Sequence, residues 1–271
     1  MGVIKEFDSR HPGLKLKDLP FSFYSLPIFL DYSGFLLERN GETLLTNQDL
    51  YYKQEFPSVF LPKKPVNWED ASITFTSDED LKKIKKRRIE ILIKKPIGEE
   101  FFYKTETLLK PEAKIERRIE QFKKNYKYQV TKAFPKNKIK DFYTQWKKQK
   151  KRVNDNFAEA EKFFFFCLDN LKKYKIKQVY VVVNNKLIGF AWGVGHQSGN
   201  WAGLHLKVNY RYKGLSRFLH QERAKLFAKK KFFTLGTGAN EPGVVQFKKE
   251  LGPSQEKKYY YVLTGRRKLG K

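Results

Sequence analysis

Apolar positions along this chain change period several times, and each change marks an element. Gln178-Val-Tyr-Val-Val-Val183 and Leu187-Ile-Gly-Phe-Ala-Trp192 are nearly all apolar and flank the pair Asn184-Asn185. A strand covered on both faces reads as such a continuous run, and two turn residues between two runs signal a hairpin. Gly193, Gly195, Ser198, Gly199 and Asn200 then predict a reversal, after which Trp201 to Val208 alternates as a third strand. Strict alternation places His205 with Trp201, Gly203 and Lys207, opposite Leu204 and Leu206. A short basic turn, Asn209 to Ser216, leads into an amphipathic helix over 215–229, a strand over 232–235 and a Gly-rich stretch from Gly236 to Gly243.

The earlier chain reads less regularly. Residues 1–20 are polar, hold Pro12 and Pro20, and are expected as an irregular lead-in. Phe35 to Arg39 and Glu42 to Leu45 flank Asn40-Gly41, a hairpin signal. Ser72 to Thr76 alternates as a strand, and 78–88 is helical with Ser77 or Asp78 as its cap. Strands are expected over 89–93 and 100–104, and helices over 112–124, 138–152 and 154–174, the last capped by Asn154 or Asp155. The first of these helices carries Ile115, Ile119 and Phe122 on one stripe. The fold class is therefore α/β (α+β), divided into 1–128 and 129–271, each half a mixed, mostly antiparallel sheet flanked by helices.

Charge sharpens this picture. The formal net charge is +27, and Lys supplies 44 of the 56 basic residues, a bias that AT-rich coding would also produce. Location therefore says more than the total. Between Phe101 and Arg152 seventeen Lys or Arg stand against five Asp or Glu, a net of +12. Lys114, Arg117, Arg118, Lys123 and Lys124 lie mostly off the apolar stripe of their helix. Two consecutive basic helices with Asn125-Tyr-Lys-Tyr128 between them form either a solvated face or a surface for a polyanion, a phosphate backbone or anionic headgroups.

Several chemistries are absent. Cys167 is the single cysteine and follows Phe163 to Phe166, which suits core packing. Without a Cys pair, and with four scattered His, no metal site is expected. Gly236-x-Gly238 followed by Pro242 lacks the third glycine of a dinucleotide loop. No apolar stretch approaches the roughly twenty residues that cross a bilayer, and no signal-peptide pattern is present. The expected location is cytoplasmic, peripheral at the inner membrane face if the basic surface meets lipid.

The strand, basic turn and helix N-terminus around residue 211 form an anion cradle, because a helix start presents free N–H groups and the positive end of its dipole. There Arg211-x-x-Gly214-x-Ser216 resembles the acyl-donor pyrophosphate loop of GNAT-type N-acyltransferases, with Ser where Gly or Ala is usual. Phe247-Lys248-x-x-Leu-Gly252 resembles the signature of Fem-type aminoacyltransferases and the end of the phosphatidylglycerol lysyltransferase C-terminal domain. Phe101-Phe-Tyr103, Leu108-Leu109 and Phe122-Lys-Lys-Asn-Tyr126 resemble the centre of the latter family, so that the likeness covers about residues 100 to 265.

The resemblance implies two tandem GNAT-like domains, a third strand splayed from its neighbour, and a donor that is not tightly bound, aminoacyl-tRNA or acyl-CoA. Arg211, Lys213 and the amides of Gly214, Leu215 and Ser216 would hold donor phosphate. A backbone N–H near Leu206 or Val208, or the Lys248 side chain, would face the oxyanion. For the proton, His205 is read as a general base or as a packed strand residue, with Tyr210 and Glu241 as weaker candidates. The function expected is aminoacyl or acyl transfer to an amine or hydroxyl. The alternatives are an acyl-CoA N-acetyltransferase and a non-catalytic RNA- or lipid-binding module.

Overall fold

A computed structural model describes residues 3–6, 16, 19–39, 42–46, 58–60, 69–149, 155–238 and 241–267. In chain order the first elements are β1 (Val3–Glu6), α1 (Pro27–Ser33), β2 (Phe35–Arg39), β3 (Glu42–Thr46), β4 (Ser58–Phe60), β5 (Ser72–Ser77), α2 (Asp78–Lys86) and β6 (Ile89–Lys104). There follow α3 (Thr105–Leu109), α4 (Ala113–Asn125), β7 (Gln129–Thr131), α5 (Lys136–Lys148), α6 (Asp155–Asp169), β8 (Lys177–Val183), β9 (Lys186–Gly195) and β10 (Trp201–Val208). The last are α7 (Leu215–Lys225), β11 (Phe232–Thr237), α8 (Pro242–Lys249) and β12 (Gln255–Arg267).

The fold is mixed α/β with mostly antiparallel strands flanked by helices. Its compact units interleave in sequence: one takes 1–101, 236–245 and 255–271, the other 102–235 and 246–254. Strand pairing explains the interleaving, since β12 lies antiparallel to β5 with Tyr259 opposite Ser77, which returns the C-terminal end of the chain to the first unit.

In the first unit β1, β2 and β3 form a small antiparallel sheet, and the strands β4, β5, β12 and β6 lie in that order. The expected lead-in therefore contains a strand, Val3–Glu6, which pairs with β2. The two strands expected at 89–93 and 100–104 are one, because Pro96 is exposed, where a strand tolerates the missing N–H. Helix α2 follows from local chemistry. Ser77 Oγ accepts the Asp80 N–H at 3.2 Å while the Asp80 carboxylate accepts the Ser77 N–H at 3.1 Å, a reciprocal capping box. Asp78, Glu79 and Asp80 open the helix and Lys83, Lys85 and Lys86 close it, in keeping with its dipole. Leu81 and Ile84 are then buried against Ile73, Ile89 and Val262.

In the second unit the end of β6 is followed by β11, β10, β9, β8 and β7. Asn184 and Asn185 both hold positive φ, 48° and 59°, as a two-residue hairpin of the predicted kind requires. Strand β9 sorts its residues by size. On one face Gly189 and Gly193 admit α7 and the segment after it: an added Cβ would lie 2.9 Å from Leu219 and 2.8 Å from Phe227. On the other face Trp192 stacks on Phe164 of α6 at 5.2 Å. Above α7, Phe227, Trp201, Phe233 and Tyr103 form a column with successive ring spacings of 4.5, 4.5 and 4.7 Å. In α4, Ile115, Ile119 and Phe122 are buried as their spacing predicts, whereas the cap expected at Asn154 lies outside the described residues.

The capping box carries a measurable load. Ser77→Ala removes the bond that Oγ accepts from the Asp80 N–H and the one it donates to the Asp80 carboxylate at 2.6 Å, and is expected to destabilise the chain by about 1–2 kcal/mol in urea unfolding, with Ser77→Asp costing less.

Candidate functional site

The site starts where a strand loses its neighbour. Strand β10 runs parallel to β11 at only two positions, Trp201 opposite Phe233 and Ala202 opposite Thr234. On its other edge β10 continues beside β9 to Val208, with a register shift between Gly203, opposite Gly193, and Leu206, opposite Ala191. Two residues, Leu204 and His205, therefore oppose Trp192 alone: a β-bulge, which bends a strand and withdraws backbone from the ladder. The bulge also inverts the expected alternation. Trp201 and Gly203 face α7, while His205 and Lys207 face the aromatic side of α5 and α6.

Gly203 permits the bend because its missing side chain makes room for Arg223 of α7. An added Cβ would lie 2.6 Å from the Arg223 Nη1. The guanidinium is fully buried and donates from Nη1 to the Trp192 carbonyl at 3.0 Å. Its Nη2 lies 2.8 Å from His220 Nδ1, which fixes that nitrogen as acceptor and the imidazole as neutral. Burial lowers the Arg223 pKa to about 9. Burial and then Arg223 hold His220 well below its ordinary value.

His205 sits in an aromatic box of Phe163, Phe164 and Trp192, with ring centroids 5.4–5.7 Å away. Its Nε2 has no hydrogen-bond partner. Burial first, then Lys207 and Arg223, hold its pKa well below the usual imidazole range, so it is neutral at physiological pH.

The 211–216 turn stands open. Arg211 and Lys213 are exposed and Ser216 is half-buried. The Leu215 N–H is used locally on the Tyr212 carbonyl at 3.2 Å, as is Arg211 N–H on Asn209 Oδ1 at 3.1 Å. The next two amides of α7, Ser216 and Arg217, have no hydrogen-bond partner among the described residues. Gly214 has φ 84°, and an added Cβ would stand 2.1 Å from the Arg118 carbonyl. Its missing side chain thus serves the close approach of α4, where the sequence reading reserved it for a diphosphate. That contact brings two segments a hundred residues apart into one surface. Lys114, Arg117, Arg118 and Lys124 on α4 are exposed; Lys123 is half-buried and pairs with Glu120 at 2.7 Å.

Lys248 is buried rather than exposed, and its Nζ donates to the Leu235 carbonyl at 2.7 Å. Leu235 directly follows Thr234, the last residue of β11 paired with β10, so the ammonium lies at the mouth of the opening. The Lys248 carbonyl accepts the Tyr103 hydroxyl at 3.0 Å, which ties α8 to the aromatic column. In the same first turn of α7 the Arg217 side chain stacks on Phe247 at 3.7 Å and donates from Nη2 to Glu250 at 2.6 Å, while its Nε and Nη1 have no hydrogen-bond partner among the described residues. Leu206 is half-buried, Val208 is buried, and Tyr210 is 53% exposed with its N–H on Gln149 at 3.2 Å.

Sequence reasoning missed the inner face of α7. Arg217, His220, Gln221 and Arg223 are all buried, whereas an amphipathic reading assigns such residues to solvent. The one available signal was their number on so short a helix. Among the described residues no group of three or more His, Cys, Asp or Glu could hold a metal ion, and no helix is long and apolar enough to cross a membrane.

Two outcomes follow. Gly214→Ala places a methyl against a backbone carbonyl in the left-handed region, and is expected to cost more than about 2 kcal/mol and to loosen α4 in hydrogen exchange. His196, brought to about 4 by burial, and His205 and His220 all have folded pKa values below the unfolded value of 6.5. Protonation then favours the unfolded chain, so stability is complete above pH 6.5 and falls below it, by up to about 1.4 kcal/mol per pH unit for each proton taken up. Thermal midpoints measured between pH 7.5 and 5 should show this decline, and His205→Phe should flatten it.

No protein-family model matches the sequence, and neither does any curated protein. Solved structures do. A conserved protein of unknown function from Bacteroides thetaiotaomicron VPI-5482 is 12% identical, with 97% of this chain and 100% of that one covered and a TM-score of 0.72. A C-terminal domain (DUF2156) from Agrobacterium fabrum, described as that of a lysylphosphatidylglycerol synthetase, is 13% identical, with 92% and 85% covered and a TM-score of 0.50. The structure of L-PGS from Bacillus licheniformis is 13% identical, with 70% and 67% covered and a TM-score of 0.49. The chain thus shares the fold of the Bacteroides thetaiotaomicron protein and of the Agrobacterium fabrum DUF2156 domain.

Proposed function

We propose that the chain is an acyltransferase that takes an aminoacyl group from aminoacyl-tRNA and passes it to an amine or hydroxyl of a lipid or cell-envelope precursor. One observation carries this reading: the opening between β10 and β11 has a bulged strand on one side, a buried ammonium at its mouth and free helix amides beyond its end. Acyl transfer needs these parts. A phosphate grip positions the donor, a splayed strand exposes backbone donors to its carbonyl, and fixed positive charge meets the developing oxyanion.

In this reading Arg211, Lys213 and the amides of Ser216 and Arg217 hold donor phosphate. A backbone N–H between the bulge and Val208 faces the carbonyl oxygen, with Lys248 as the neighbouring cation. The acceptor nitrogen or oxygen attacks the ester carbon, the ribose oxygen of the tRNA terminus leaves with the bonding pair, and the acceptor's proton goes to that oxygen. Such direct transfer suits a chain whose candidate base, His205, is walled by three rings.

tRNA is preferred to coenzyme A because Gly214 packs on the Arg118 carbonyl, which leaves that side of the turn unavailable to a diphosphate and adds the bases of α4 to the surface. The unpartnered amides of Ser216 and Arg217 support a second reading, an acyl-CoA N-acetyltransferase, since they also fit a single diphosphate.

Donor tests separate these readings. Purified protein is expected to bind charged tRNA with steep salt dependence and to ignore acetyl-CoA, with Arg211→Ala/Lys213→Ala weakening tRNA binding about tenfold. Consumption of acetyl-CoA alone would move the assignment to the second reading. Lys248→Met is expected to lower turnover about 10²-fold at nearly unchanged donor affinity. If Lys248 only anchors α8, the variant instead melts earlier while its folded fraction turns over normally.

A further inference from the structure

The first unit carries a basic surface that neither the motifs nor the proposed chemistry uses. Residues 82–96 hold eight Lys or Arg against one acid, Glu90. All six bases between 82 and 88 are exposed, with Leu81 and Ile84 turned inward to anchor α2. Beyond the turn, β6 emerges with two consecutive aliphatic residues in solvent, Leu92 at 52% and Ile93 at 38% exposure. Consecutive strand residues point to opposite faces, so this length of β6 shows apolar surface to solvent on both. Lys94 and Lys95, also exposed, follow immediately.

Leu92 is held in place while being exposed. The glycine beneath it, Gly265, has no side chain, and a Cβ there would lie 3.5 Å from the Leu92 methyls. Lys94 Nζ is fixed 4.0 Å over the ring of Tyr260. Of the bases on α2, Lys83 is engaged by Asp80 at 3.2 Å. The result is an aliphatic tip with cations before and after it.

From this arrangement we infer that the segment 82–96 docks the chain on an anionic bilayer, with Leu92 and Ile93 entering the headgroup boundary and the flanking Lys and Arg meeting lipid phosphates. Charge and shape select this partner. A single apolar contact of this size binds membranes weakly, and stable attachment needs the second signal that a polybasic run supplies. Nucleic acid would share the cations, but single strands are gripped by aromatic platforms, and the residues presented here are aliphatic. A protein interface buries about 800 Å² per partner with charge depleted from its centre, which two side chains ringed by cations do not provide. The inference does not depend on the acyl-transfer reading.

Co-sedimentation of the whole chain with vesicles tests it. Phosphatidylcholine vesicles containing phosphatidylglycerol or phosphatidylserine are expected to bind the protein, phosphatidylcholine alone to bind little, and rising salt to release it. Leu92→Ser/Ile93→Ser and Lys94→Glu/Lys95→Glu should each lower partitioning by about tenfold or more. These positions are exposed, so circular dichroism and thermal midpoints should match the parent. Lys114→Glu/Arg117→Glu on α4 adds the same charge change elsewhere and should retain most of the vesicle binding. The inference is overturned if anionic vesicles are not bound, if the α4 variant loses as much as the β6 variants, or if the β6 variants lose tRNA while keeping vesicles.

Discussion

The guanidinium of Arg223 occupies the space in which residue 203 would carry a side chain, and the second unit is arranged around that contact. A buried cation is costly unless it is well bonded, and Arg223 answers with a carbonyl and an imidazole rather than a carboxylate. A side chain at position 203 would meet that guanidinium at under 3 Å and force it out of its place. With glycine there, the helix comes close, the strand bulges within two residues, and pairing with β11 does not continue past Ala202. The close contact with Arg223, the bulge and the end of the β11 pairing thus fall within a few residues of one strand.

The same helix links the two ends of the candidate site. Its first turn offers amides unpartnered among the described residues, beside Arg211 and Lys213, and stacks Arg217 on Phe247; its third supplies Arg223. Lys248 is coupled to this frame through the Tyr103 hydroxyl and the aromatic column that includes Trp201 and Phe233. A rigid column of rings is a suitable mount for a buried ammonium, because each ring has few rotamers to lose and large area to bury. The inner part of the candidate site is therefore carried by strands and rings, and its exposed end by the 211–216 turn.

Positive charge serves two regions of different texture. On α4 it surrounds an apolar stripe that is wholly buried, so no residue of that stripe faces solvent there. On β6 it brackets exposed aliphatic residues. A long-range field treats both alike, but only the second combines charge with surface that gains by leaving water.

The sequence by itself determined the elements whose cause is local. The Asn pair made the β8–β9 hairpin, Ser77 and Asp80 made the start of α2, and the 3.6-residue spacing of Ile115, Ile119 and Phe122 identified the buried stripe of α4. It also marked the turn at 211–216, since a basic Gly-containing turn before a helix is a local pattern. Long-range packing decided the rest. Alternation failed at His205 because β10 bulges against β9 there, a feature of the pairing between strands that nothing local announces. Gly214 was legible as a glycine that matters, but its reason, the carbonyl of Arg118, lies on a distant helix. Arg217, His220 and Arg223 looked like the wet side of α7, and only their neighbours made that side the inner one. Period and turn chemistry are written within a few residues, whereas a side chain's burial and partners are properties of segments that meet only once the chain has folded.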